Sequence, residues 1–138
     1  SLHVRMARHC ENGQAVAEFL ASHPKIAYVN YCGLPGDKYH AVAEKYLPNG
    51  SCGVVSFGVK GGREAAAAFM GHLKIAAIET HVADARTCCL HPASSTHRQM
   101  NDEQLIAAGV QPDLVRMSCG LEDKNDLIHD IAQALDQI

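Results

Sequence analysis

Short apolar runs alternate along this chain with stretches of helical periodicity, and that alternation leaves few folds open. Five runs predict strands: Ile26–Tyr31, Cys52–Lys60, Lys74–Thr80, Thr87–His91 and Leu114–Cys119, rich in β-branched or alternating apolar residues. Between and around them the period changes to that of a helix. Leu2, Met6, Cys10, Val16 and Leu20 form an apolar stripe, with Arg5, Arg8, Glu11, Asn12 and Gln14 on other faces and Pro24 as the stop. Asp37 is placed to cap a short helix through Tyr46, closed by Pro48-Asn49-Gly50. After the Gly61-Gly62 break, the alanine-rich Arg63–His72 is a helix. Asn101-Asp-Glu-Gln104 has capping-box spacing for a helix through Ala108, with Gly109 as its C-terminal cap. Asp123 opens a last helix with Leu127, Ile131, Leu135 and Ile138 on one stripe, whereas Ala93–Met100 has no period and predicts a loop. The order α-β-α-β-α-β-β-α-β-α predicts one α/β two-layer sandwich over residues 1–138, with the first and last helices on one face of the sheet. Strand order and direction stay open at this level.

Composition excludes several function classes. A formal charge of −3 has the wrong sign for a nucleic-acid stripe. No apolar run approaches the roughly 18 residues of a membrane span, and the opening residues show no signal-peptide pattern. The six cysteines, at positions 10, 32, 52, 88, 89 and 119, show no C-x-x-C pair. Reduced, mostly buried thiols in a cytoplasmic protein are expected. The chain starts at Ser1 without methionine and enters helical pattern at once, as a fragment would. Arg5 and Arg8 sit near the start of the first helix, where the macrodipole disfavours cations; either the helix continued upstream or these arginines face a partner.

Arg116 is the first candidate for chemistry. It interrupts an apolar strand between Val115 and Met117, and a guanidinium is a planar, permanently charged fork that suits a carboxylate. A strand also supplies the rigid mounting a recognition group needs. The ordinary alternative is a solvated arginine or one paired with Asp113 or Glu122. His81, His91 and His97 lie close to Cys88 and Cys89, but their spacing is not that of a structural zinc site. A non-catalytic binding or assembly module, with a metal on His81, Cys89 and His91, is the reading from a different class. The glycines make neither G-x-G-x-x-G nor a P-loop, and no serine sits in a nucleophile elbow.

Several blocks resemble one known family. His91-Pro-Ala-Ser-Ser-Thr-His97 is similar to the H-P-A-S-x-T-H loop of the Cys/Met-metabolism family of pyridoxal-phosphate (PLP) enzymes. Asp113-Leu-Val-Arg-Met-Ser-Cys-Gly-Leu-Glu122 resembles that family's D-L-V-R-L-S-V-G-x-E block. Tyr46-Leu-Pro-Asn-Gly50, Val54–Lys60 and the opening Leu2–Asn12 resemble further blocks. His81-Val-Ala-Asp-Ala-Arg86 is most similar to the N-V-G-D-A-K of the O-acetylhomoserine sulfhydrylase branch. The resemblance covers essentially the whole chain and implies the small C-terminal domain of a fold-type-I PLP-dependent transferase. It implies γ-replacement on an amino-acid substrate in the parent enzyme, with cystathionine γ-synthase and methionine or cystathionine γ-lyase as the neighbouring alternatives. It further implies a missing N-terminal domain that binds PLP, and a tetrameric parent. No lysine here (Lys25, Lys38, Lys45, Lys60, Lys74, Lys124) has the family's S-x-T-K setting, so no catalytic or cofactor-binding residue is expected in this chain, which alone should be inactive and hold no PLP. By the resemblance Arg116 takes the place of the arginine that grips the substrate α-carboxylate. His81 stands where relatives carry a serine or asparagine that helps hold it. Ala83 replaces the family's glycine, and Cys119 a valine.

Overall fold

In a computed structural model, which describes residues 1–138, the helices are α1 (Leu2–Ser22), α2 (His40–Tyr46), α3 (Gly62–His72), α4 (Asp102–Ala107) and α5 (Lys124–Asp136). The strands are β1 (Ile26–Asn30), β2 (Val54–Val59), β3 (Ala77–Ile78), β4 (Cys88–Leu90) and β5 (Leu114–Ser118). They form one sheet in the order β1-β2-β5-β4-β3. Every pairing is antiparallel except β3 with β4. The two-layer α/β arrangement is as expected, with α3 joining α1 and α5 on the covered face. No helix is long and apolar enough to cross a membrane.

The strand alternation decides what lies on each face. Val55, Phe57 and Val59 of β2, Val115 and Met117 of β5 and Cys89 of β4 point at the helices. They meet Val16, Ala17 and Leu20 of α1, Ala66, Phe69 and Met70 of α3, and Leu127, Ile131, Ala134 and Leu135 of α5. Phe57 and Phe69 pack edge to face, 5.8 Å between centroids. The opposite face carries Val54, Ser56, Leu90, Leu114 and Arg116 and has no helix of this core on it.

Local chemistry explains most element ends. Asn101 and Gln104 make both bonds of the capping box on α4, and Gly109 follows it at φ 80°. The Asp123 side chain accepts from the Asn125 N–H at the start of α5. Asp37 does not cap α2 as expected. Its carboxylate accepts from Tyr31 and Tyr39 N–H and folds the preceding turn, so the helix starts at His40. The expected strand Lys74–Thr80 shrinks to Ala77–Ile78 for a similar reason. Asp130, buried on α5, accepts the N–H groups of Lys74, Ile75 and Ala76 at 2.8, 2.8 and 3.1 Å. Those donors are thereby taken from any ladder. The expected loop Ala93–Met100 opens with a 3₁₀ turn, Pro92–Ser94.

The inner face of α1 also departs from its apolar stripe. Leu2 is 54% exposed, while His9 and Asn12 are buried. His9 Nδ1 donates to the Cys119 carbonyl at 2.7 Å, a bond that fixes its tautomer, and Asn12 Nδ2 donates to the carbonyls of Gly120 and Glu122. Gly120 is required where this chain passage is tightest: a Cβ there would collide with the backbone of Ala85–Thr87. Arg5 finds its partner inside the chain, donating from Nη1 to the Ala83 carbonyl at 2.6 Å, and Arg8 pairs with Glu11.

All six cysteines are unpaired, with Cys88, Cys89 and Cys119 buried. Burial pushes the Cys119 thiol up to about 12, so it is inert packing at neutral pH. His91 is buried with both ring nitrogens engaged: Nε2 donates to the Pro112 carbonyl at 2.8 Å, and Nδ1 accepts from Ser94 Oγ at 2.9 Å.

Two predictions follow from these buried polar groups. Asp130→Ala strands three backbone donors and should lower stability by about 3 kcal/mol, read from urea unfolding. Burial holds the His91 pKa below its ordinary value. Between the folded and unfolded values the unfolded chain therefore binds more protons, so this contribution is complete above about pH 6.5 and is lost as pH falls. His91→Gln should flatten that part of the stability–pH curve; an unchanged slope would show that His91 does not contribute to it.

Candidate functional site

Arg116 sits in the middle of β5, opposite Ser56 on β2 and Leu90 on β4. Because Val115 and Met117 point into the helical core, period 2 forces Arg116 onto the open face. There it lines a cavity of about 470 Å³ with Val54, Ser56, Leu90, Pro92 and His97. Its Nη2 donates to the Thr80 carbonyl at 2.7 Å. No carboxylate lies within ion-pair range, and its Nε–H is buried without a partner. The pairing with Asp113 or Glu122 is thus not what the fold holds: Asp113 accepts from Tyr28, and Glu122 accepts from the N–H and hydroxyl of Thr87. Arg116 is thus a half-buried guanidinium with one donor fixed on a carbonyl and no counter-charge within ion-pair range.

One further group holds the cavity wall, and the sequence reading gives it no such role. Arg63 of α3 donates to Asp102 from Nε and Nη2, at 3.0 and 2.6 Å, and to the carbonyls of Ala93 and Met100. It thus pins the segment that carries Pro92, Thr96 and His97. Outside this cavity, at the position where the resemblance puts a glycine, Ala83 adopts φ 58°, a left-handed conformation that costs a non-glycine residue about 1 kcal/mol. It is held there by Ser118 Oγ on its N–H and Arg5 on its carbonyl.

His81 does not line the Arg116 cavity. Its Nδ1 lies 3.0 Å from Glu79 Oε2 and 3.7 Å from Asp84 Oδ2, with the side chain 61% exposed. The metal set weighed from sequence, His81, Cys89 and His91, does not assemble: Cys89 faces the helical core, and both nitrogens of His91 are bonded elsewhere. Burial first, then the Glu79 and Asp84 carboxylates, hold the Cys88 thiol above its ordinary range.

No lysine lines this cavity, and Lys25, Lys60 and Lys124 are tied to the Leu135 and Ile138 carbonyls, the Pro24 carbonyl and Glu11. The residues present do not make a site for PLP: nothing here can anchor its aldehyde. What the face offers is a guanidinium with unused donors.

Comparison with known proteins gives the context. Residues 1–136 match the family described as Cys/Met metabolism PLP-dependent enzyme. The chain is 44% identical over 99% of its length to homocysteine synthase of Schizosaccharomyces pombe, covering 32% of that protein. It is 45% identical over its whole length to O-acetyl-L-homoserine sulfhydrylase of Leptospira meyeri, covering 31% of it. A crystal structure of a putative O-acetylhomoserine (thiol)-lyase from Campylobacter jejuni, which carries N'-pyridoxyl-lysine-5'-monophosphate, superposes with a TM-score of 0.88 at 37% identity. That match covers 97% of this chain and 32% of the other. The chain thus spans about a third of the length of these relatives. Sequence and fold together place it in the Cys/Met-metabolism family of PLP-dependent enzymes.

Proposed function

We propose that this chain is the C-terminal, substrate-carboxylate domain of a PLP-dependent γ-replacement enzyme. The reaction is that of an O-acetylhomoserine sulfhydrylase: O-acetylhomoserine and sulfide or a thiol give homocysteine or methionine and acetate. The observation that carries this reading is the Arg116 guanidinium, fixed on β5, short of a counter-charge and open to a cavity of about 470 Å³. The names of the relatives, homocysteine synthase and O-acetyl-L-homoserine sulfhydrylase, support the choice of reaction.

Arg116 contributes binding and orientation. One donor is committed to Thr80, which sets the plane of the guanidinium before a ligand arrives. Its remaining N–H groups then receive the α-carboxylate and fix one end of the amino acid. Charge-assisted bonds of this kind orient as well as bind. His81, turned to Glu79 and Asp84, stays outside this contact. PLP, when bound in the parent enzyme, supplies the electron sink. An N-terminal domain that holds it, a homo-oligomeric parent and a cytoplasmic setting for the six unpaired thiols belong to the same proposal.

A second reading within the family is γ-elimination, since the chain is also 41% identical to an L-methionine gamma-lyase of Fusobacterium nucleatum. Assaying the whole enzyme for replacement with sulfide, replacement with cysteine and α-ketoacid release from methionine separates sulfhydrylase, synthase and lyase.

In the whole enzyme, Arg116→Ala should cost about 2–4 kcal/mol in kcat/KM, chiefly as a raised KM; an unchanged KM would remove Arg116 from the site. Arg116→Lys should recover only part, because an ammonium lacks the fork. The 138-residue chain alone, mixed with PLP and dialysed, should retain no pyridoxal absorbance.

A further inference from the structure

A cluster of three different metal-ligating side chains lies at the sheet edge. We propose that Glu79, His81 and Cys88 form a binding site for a zinc-like divalent cation. Their ligand atoms all lie within 4.8 Å of one another. Tetrahedral zinc with bonds of about 2.0–2.3 Å needs ligand separations of roughly 3.3–3.8 Å, so side-chain rotation of about 1 Å closes the set.

The fold brings Cys88 of β4 and Glu79, just past β3, side by side, with His81 on the segment that follows. Cys88 pairs with Ala77 in the parallel β3–β4 ladder, and the Glu79 N–H continues that ladder to the Cys89 carbonyl at 3.1 Å. Cys89 points into the helical core, so its neighbour Cys88 points to the other face, as Glu79 does two residues beyond Ala77. His81 follows Thr80, whose carbonyl is held by Arg116, and its Nδ1 already lies 3.0 Å from Glu79. Asp84 stands behind it, 3.7 Å from the same nitrogen, as an outer carboxylate.

The donor set selects the ion. Imidazole, thiolate and carboxylate together suit zinc, whereas magnesium and calcium take oxygen alone. Cys88 is only 2% exposed, whereas Glu79 and His81 are open to solvent, so the ion enters from the exposed side. On binding, a metal–sulfur bond forms and the S–H bond breaks, with the proton passing to solvent. Two carboxylates beside the thiol offset the charge of the ion. Three protein ligands leave a fourth position for water.

The test is zinc binding to the metal-free whole protein, with the zinc X-ray absorption spectrum as the readout. The expected result is one equivalent per chain, with one sulfur at about 2.3 Å and nitrogen or oxygen at about 2.0–2.2 Å. Cys88→Ser should abolish the sulfur signal, and Cys10→Ser should leave it. His81→Ala, at an exposed position where folding is not at stake, should weaken binding about tenfold or more in a chelator competition. A spectrum without sulfur, a sulfur signal that survives Cys88→Ser, or an affinity unchanged in His81→Ala would each overturn the site.

Discussion

The ladder between β2 and β5 sets both the core and the site. Along it, Val55, Phe57, Val115 and Met117 are fully buried under the helices, and the residues between them face the opposite way. The register Ser56 to Arg116 is therefore an energetic consequence of the core. A slip by one residue would drive the guanidinium into the helical layer and turn Val115 and Met117 to solvent. Desolvating an unpaired cation costs several kcal/mol, so the hydrophobic pattern enforces the placement of the charge.

The segments that flank this ladder are held by polar groups rather than by area. Asp130 gathers three N–H groups ahead of β3, Glu122 clamps Thr87 ahead of β4, and Arg63 ties the Pro92–Asp102 segment to α3. Each is a charged group satisfied by several short bonds, the arrangement in which burial of a charge is tolerated. Arg63 alone of the three holds a segment that lines the cavity of Arg116, whose own cation is left short of partners.

Local signals in the chain read directly. The capping box at Asn101 and Gln104, the cap at Asp123 and the glycine after α4 act within a few residues, and all appear as expected. The face of Arg116 follows equally directly, because an arginine between two apolar strand residues has only one face left. What did not read depended on partners far along the chain. Asn12 reads onto an outward face of the first helix and His9 is not singled out, yet they bond to carbonyls 108 to 110 residues away. Lys74–Thr80 has strand composition, and only the distant Asp130 explains why most of it is not strand. As a carboxylate-holding residue His81 is singled out from family likeness alone, and its orientation follows from two neighbouring carboxylates that the likeness did not point to.

Arg116 grips residue 80 through a main-chain oxygen rather than through the threonine side chain. Every amino acid presents that oxygen, so the guanidinium keeps its aim whatever side chains occupy the positions beside it. Descendants of this chain are free to trade side chains along that rim without losing the bond that sets the guanidinium plane.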